Sequence, residues 1–107
     1  MNKTITATLF CAAFALQAFA AGDATAGKAT YDKSCKSCHG AAGAPNPAIA
    51  KMMKVEMKDL GSGEVQGLSD DAMKKIITTG QGKMKPVASV TGKSADDVVA
   101  FVRTLKK

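Results

Sequence analysis

Cys35-Lys36-Ser37-Cys38-His39 decides the reading of this chain: two thiols three residues apart, followed at once by the only histidine in the sequence. On a helix, residues i and i+3 share a face, so Cys35 and Cys38 can both reach the edge of one planar ligand. The next residue is turned by about 100° around the axis, which carries His39 off that face and beneath the plane, where an imidazole nitrogen can bind a metal. C-x-x-C-H is the attachment signature of haem c. The two sulfurs form thioethers with the vinyl groups of one macrocycle, and His39 binds its iron. Gly40 follows, a residue that lets the chain leave the helix through a left-handed conformation.

Two other chemistries use such cysteines. A redox dithiol of the thioredoxin kind is expected near a βαβ pattern, and no strand-rich run flanks the motif. A structural zinc site needs four N or S ligands. Once Cys11 is lost with the leader described next, Cys35, Cys38 and His39 are the only candidates left, and all lie within this motif.

Residues 1–20 read as a secretory signal peptide. Lys3 supplies the positive end, Ile5 to Leu16 is mostly apolar, and Ala18-Phe19-Ala20 puts alanines at the cleavage positions. Cleavage after Ala20 is expected, with the mature domain over 21–107 in the periplasm. The run is short of the roughly 20 apolar residues of a spanning helix, so no stable membrane insertion of the mature chain is expected; an uncleaved anchor is the alternative. Removing 20 of 107 residues leaves 87, one small domain of the size that leans on a metal, a disulfide or another staple. A covalently held macrocycle would be that staple.

The chain has 15 Lys and Arg against 9 Asp and Glu; loss of Lys3 leaves 14, a net charge of +5 for the mature part. A basic surface steers association with acidic partners. Nucleic acid is excluded as the partner: there is no Trp, one Tyr and no recognised nucleic-acid motif.

About four helices and no strand are expected, an all-α domain. Asp23 caps a first helix from Ala24 to Cys38, with Gly27, Tyr31 and Cys35 on one stripe. Pro47 to Met53 starts with proline at the first helical position. Lys54 to Leu68, with glycines at 61, 63 and 67, reads as irregular. Ser69 with Asp70 and Asp71 opens a helix that buries Met73, Ile76 and Ile77 and ends at Gly80. Ser94-Ala95-Asp96-Asp97 resembles a capping box opening a last helix with Val98, Phe101, Val102 and Leu105 on its core face. Between these helices, Gly80 to Val87 has no helical period, and its glycines and proline are expected to hold it extended with Met84 projecting.

With one histidine, a second imidazole ligand cannot come from this molecule. Methionine is the next candidate for the other axial position, at Met52, Met53, Met57, Met73 or Met84. Met73 has the spacing of a core residue and Met52 and Met53 are expected near the haem edge. Met84, on its distant loop, is the chosen ligand, with Met57 or an open site as alternatives.

These residues resemble the small monohaem cytochromes c of bacteria over essentially all of Ala21 to Lys107. The resemblance rests on Gly27 and Tyr31, the Cys35 to His39 motif, Met84 with a nearby proline, and a last helix carrying Phe101. It implies a bundle wrapped around one covalently bound haem c, first and last helices crossing at Gly27, and Tyr31 meeting Phe101. It also implies a loop carbonyl that accepts the proton of the other His39 nitrogen, at Pro47 or alternatively Pro45. In many relatives proline directly follows the methionine, whereas here Lys85 stands between Met84 and Pro86.

The function expected is one-electron transfer by haem iron cycling between ferrous and ferric states, not enzymatic catalysis, in a monomer that meets redox protein partners. Lys36, Lys83 and Lys85 would guide acidic ones. Two rivals remain: a small-ligand-binding or sensing haem domain with an open axial site, and a thiol-disulfide oxidoreductase using Cys35 and Cys38.

Overall fold

Asp23 starts the first helix. One of its carboxylate oxygens accepts the N–H groups of Thr25 (2.8 Å) and Ala26 (3.3 Å), donors that a helix terminus otherwise leaves unpaired. In the computed structural model, which describes residues 22–107, the helices run in the order α1 (Ala24–Ser34), α2 (Lys36–His39), α3 (Pro47–Met53), α4 (Gly63–Gln66), α5 (Asp70–Thr79) and α6 (Lys93–Thr104). The leader expected over 1–20, with Cys11, lies outside the described residues. Among the described residues the only β pairing is a bridge between Gln81 and Met84, and no helix is long and apolar enough to cross a membrane.

The domain is all-α, with six helical segments instead of about four. The two additions are single turns. The first helix does not run through to Cys38, because Cys35 (φ −124°, ψ −33°) leaves the helical region and separates α2 from α1. Its carbonyl nevertheless accepts from Cys38 N–H (3.2 Å) and His39 N–H (2.9 Å), so the two cysteines keep the spacing of one helical turn. The other addition, α4, lies in the stretch read as irregular. Ser62 Oγ accepts the Val65 N–H there, a cap short enough to escape a search for periodicity.

Helices α1 and α6 form the main crossing. A Cβ at Gly27 would land on the Asp97 carbonyl, so only a residue with no side chain allows this approach. One turn further, Tyr31 and Phe101 meet with ring centroids 4.9 Å apart and planes tilted by 55°, a favourable aromatic geometry. Tyr31, Val98, Val99, Phe101 and Val102 are all buried, each worth about 1.5–3 kcal/mol for a large apolar side chain removed from water.

Helix α5 adds Met73 and Ile77 to this core, with Ile76 half-buried. It starts at Ser69, whose Oγ accepts the Ala72 N–H (3.1 Å), and ends at Gly80 (φ 81°). The start of α6 differs from the expected capping box. The helix begins at Lys93 after Gly92, with no side-chain cap. Ser94 Oγ instead donates to the Thr91 carbonyl (2.8 Å) and accepts the Thr91 N–H (3.0 Å). Asp97 has a different partner altogether: its carboxylate accepts the Asp23 N–H (2.7 Å) and the Lys93 ammonium (3.0 Å). First that N–H and then Lys93 hold its carboxyl below the usual carboxylate range.

Candidate functional site

The motif helix α2 presents its residues to a cleft of about 870 Å³ between α5, α6 and the segment from Met53 to Leu68. Cys35, Cys38 and His39 line it on one side, and Met84, Met57 and Ile77 are among its other lining residues. The volume suits a large organic ligand. Both thiols are free, Cys35 buried and Cys38 half-buried.

Three groups hold the motif. The Tyr31 hydroxyl donates to the Gly40 carbonyl (2.6 Å), with the His39 carbonyl at 3.3 Å, tying the exit of α2 to the α1/α6 core. Gly40 itself takes φ 70°, and a Cβ there would strike the Ala44 carbonyl. Asn46, which the sequence reading passed over, accepts the Ala48 N–H as cap of α3. Its own N–H donates to the Cys38 carbonyl (2.9 Å) and its side-chain amide to the Ser37 carbonyl (3.2 Å). The signal available for it was an asparagine directly before a proline at a helix start.

The electrostatics of the site follow from burial. Burial pushes the Cys35 thiol up to about 11, with neighbouring Cys38 adding to the effect. A redox dithiol needs a thiolate stabilised at lower pH, so this environment speaks against that chemistry. Burial also lowers the His39 pKa, which keeps the imidazole neutral and able to donate a lone pair. The Tyr31 hydroxyl is raised to about 12, by burial first and then by Cys35, Asp32 and Asp59, and remains a hydrogen-bond donor.

His39 Nδ1 is buried and has no hydrogen-bond partner. A buried, unpaired polar atom on the one histidine, beside two free thiols and an apolar hollow, fits a site built around a haem. The Pro47 carbonyl does not meet Nδ1 here; Pro47 is exposed, at the first position of α3.

Met84 sits on a tight turn, not the extended loop expected. Gln81 and Met84 exchange both backbone hydrogen bonds at 2.9 Å, and Gly82 (φ 56°) takes the first central position, the pattern of a type II′ hairpin turn. The chain then folds Pro86 against Gly80, and Val87 N–H donates to the Ile77 carbonyl (2.9 Å). Met53, Met57 and Met73 also line the cleft, whereas Met52 is 70 % exposed and does not. Other lining residues that the sequence did not single out are Val55, Leu60, Val65 and Leu68. Their signal was present only as apolar residues scattered without period through a stretch rich in glycine and charge.

The family model described as cytochrome c oxidase, cbb3-type, subunit III matches residues 22–102. No curated protein matches the chain. A solved structure, the KustC0563 c-type cytochrome, is similar with 26 % sequence identity and a TM-score of 0.65, covering 76 % of this chain and 98 % of that one. With the family match running from the start of the described domain almost to its end, the chain belongs to the c-type cytochromes of this family, haem-based carriers of electrons.

Proposed function

We propose that the protein carries one electron at a time on a single haem c, anchored through thioethers by Cys35 and Cys38, with His39 and Met84 as its axial ligands. The observation that carries this reading is the convergence of these four side chains on one apolar cleft. Bound there, the haem supplies an iron that alternates between the ferrous and ferric states. The neutral His39 imidazole donates from one nitrogen. Its buried Nδ1–H is the group that the Pro47 carbonyl, or that of Pro45, would accept, fixing the ring's orientation and basicity. Met84 contributes a neutral, soft thioether, which favours ferrous over ferric iron relative to a second imidazole. The apolar lining works in the same direction, since excluding water disfavours the extra positive charge of the oxidised state.

Held by both His39 and Met84, the iron would have no position left for a substrate, so the reading is of a carrier and not an enzyme. Lys36, Lys83 and Lys85 are exposed beside the motif and the Met84 turn, a charge pattern suited to acidic redox partners. Export with cleavage after Ala20, and work in the periplasm as a monomer, complete the proposal.

Protein matured in a host able to attach haem c tests it. Intact mass should rise by one haem per chain, and the ferrous form should not bind carbon monoxide readily. A chain without added tetrapyrrole and with two titratable thiols overturns the reading in favour of a dithiol, and rapid carbon monoxide binding replaces the carrier with an open-site sensing domain.

A further inference from the structure

The wall of the cleft from Leu60 to Leu68 is lightly packed: only Leu60 and Val65 lean on the core from it. Helix α4 buries no residue, Leu60 and Val65 are half-buried, and Leu68 is 37 % exposed. At its start the wall has two backbone ties, Leu60 N–H to the Gly43 carbonyl and Lys107 N–H to the Gly61 carbonyl, both 3.0 Å. Its later part, which brings Val65 and Leu68 to the cleft, is fastened to α6 by side chains. Gln66 Nε2 donates to the Leu60 carbonyl (2.8 Å) and across to the Val102 carbonyl (3.0 Å). Arg103 Nη1 donates to the Gln66 carbonyl (2.6 Å) and Nη2 to the Leu68 carbonyl (2.6 Å). The same guanidinium is steadied by Asp70, with Nε and Nη2 at 3.1 and 2.8 Å from Oδ1.

Neither Gln66 nor Arg103 lines the cleft, so both act on it from behind. A planar fork holding the carbonyls on either side of Gly67 fixes both the height and the tilt of the segment between them, which a single ammonium could not do. Val99 and Val102, from the helix that receives the clasp, line the same cleft. The clasp therefore sets the spacing between two apolar walls.

We propose that Gln66 and Arg103 are positioning residues for the redox centre, a clasp that closes the Leu60 to Leu68 wall over the haem and keeps water from its iron. The proposal rests on the haem-carrier reading. Loosening the wall admits water, which stabilises the more highly charged ferric state, so the reduction potential falls. Gln66→Leu breaks both donated bonds with little change in volume and none in charge, which separates this effect from the loss of a nearby cation.

The experiment compares the haem-loaded parent with Gln66→Leu, Arg103→Lys and Asp97→Asn, reading haem content by intact mass, reduction potential by titration, and backbone amide exchange. In Gln66→Leu the ferric-to-ferrous ratio at fixed potential should rise by about tenfold, which is about 59 mV in a one-electron couple. Amides of residues 60–68 should exchange faster while those of α1 keep their protection. Arg103→Lys, which keeps the charge and loses the fork, should shift in the same direction and stands in if Gln66→Leu does not fold. Asp97→Asn, whose bonds lie at the other side of α6, should lose stability without moving the potential. An unchanged potential in a haem-loaded, less stable Gln66→Leu or Arg103→Lys overturns the clasp as a redox device. Absence of haem from the parent overturns the carrier reading instead.

Discussion

The two sides of α6 are held together by different forces. Against α1 the helix makes a close-packed seam: Gly27 lies on the Asp97 backbone with no room for a Cβ, and Tyr31 meets Phe101 with tilted rings. Against the Leu60 to Leu68 segment and the Met84 turn it faces a hollow of about 870 Å³, and the far wall is tethered by hydrogen bonds to carbonyls. The first side is complete as a protein core. The second has the shape of a core with its centre left out, which is where a macrocycle would supply the missing apolar contact.

The sharpest way to break this comparison is to remove the anchors. A Cys35→Ala, Cys38→Ala chain lacking haem has only the seam to fold around, and should show no cooperative thermal transition by circular dichroism; a sharp transition would mean the seam alone supports the domain. Gly27→Ala attacks the seam directly. Its methyl would overlap the Asp97 carbonyl, and forced overpacking of this kind costs about 3 kcal/mol, measurable as a lowered denaturant midpoint in the haem-loaded protein.

Tyr31→Phe tests the link between the two sides. It keeps the ring against Phe101 and removes the hydroxyl that ties α1 to the Gly40 carbonyl, an expected loss of about 1–2 kcal/mol in denaturant unfolding, because the carbonyl keeps only the long bond from the Gly43 N–H at 3.4 Å. The smallest effect is expected at Asp97, and it depends on pH. Because its folded pKa is depressed, its contribution is fully present above the unfolded carboxylate value of about 3.9 and is lost as pH falls through the folded value. The stability gap between parent and Asp97→Asn should therefore be constant near neutrality and close below about pH 4. A gap that persists in stronger acid would show that the interaction is steric and not ionic.

The parts of the molecule that were legible in the sequence are those where a chain-intrinsic rule applies. Cys35, Cys38 and His39 stand at a spacing that attachment chemistry demands, and the structure brings all three to one cleft. Helices α5 and α6 show a helical period because each is long enough to repeat its apolar face, which serves the core and the cleft together. The stretch from Lys54 to Leu68 lines the cleft with little regular structure of its own, so Val55, Leu60, Val65 and Leu68 follow no period and the one-turn helix α4 passes unseen. Ser94 and Asp97 had the look of a local cap, but Asp97 is engaged by an N–H 74 residues away, a partner no local pattern can announce. The Met84 turn departs from expectation for a related reason: the glycines are expected to hold the segment extended, whereas the positive φ of Gly82 closes a two-residue hairpin.

The long reach of the α1/α6 seam also orders events during biogenesis. Cys35 shares one buried cluster with Val98, Phe101 and Val102 of α6, and α6 lies far downstream of it, so that cluster is complete only once the end of the chain has docked. Non-local pairing of this kind is slow to form. If the two thiols take a haem as proposed, that delay offers them as part of an unstructured peptide before the finished globule shuts Cys35 away.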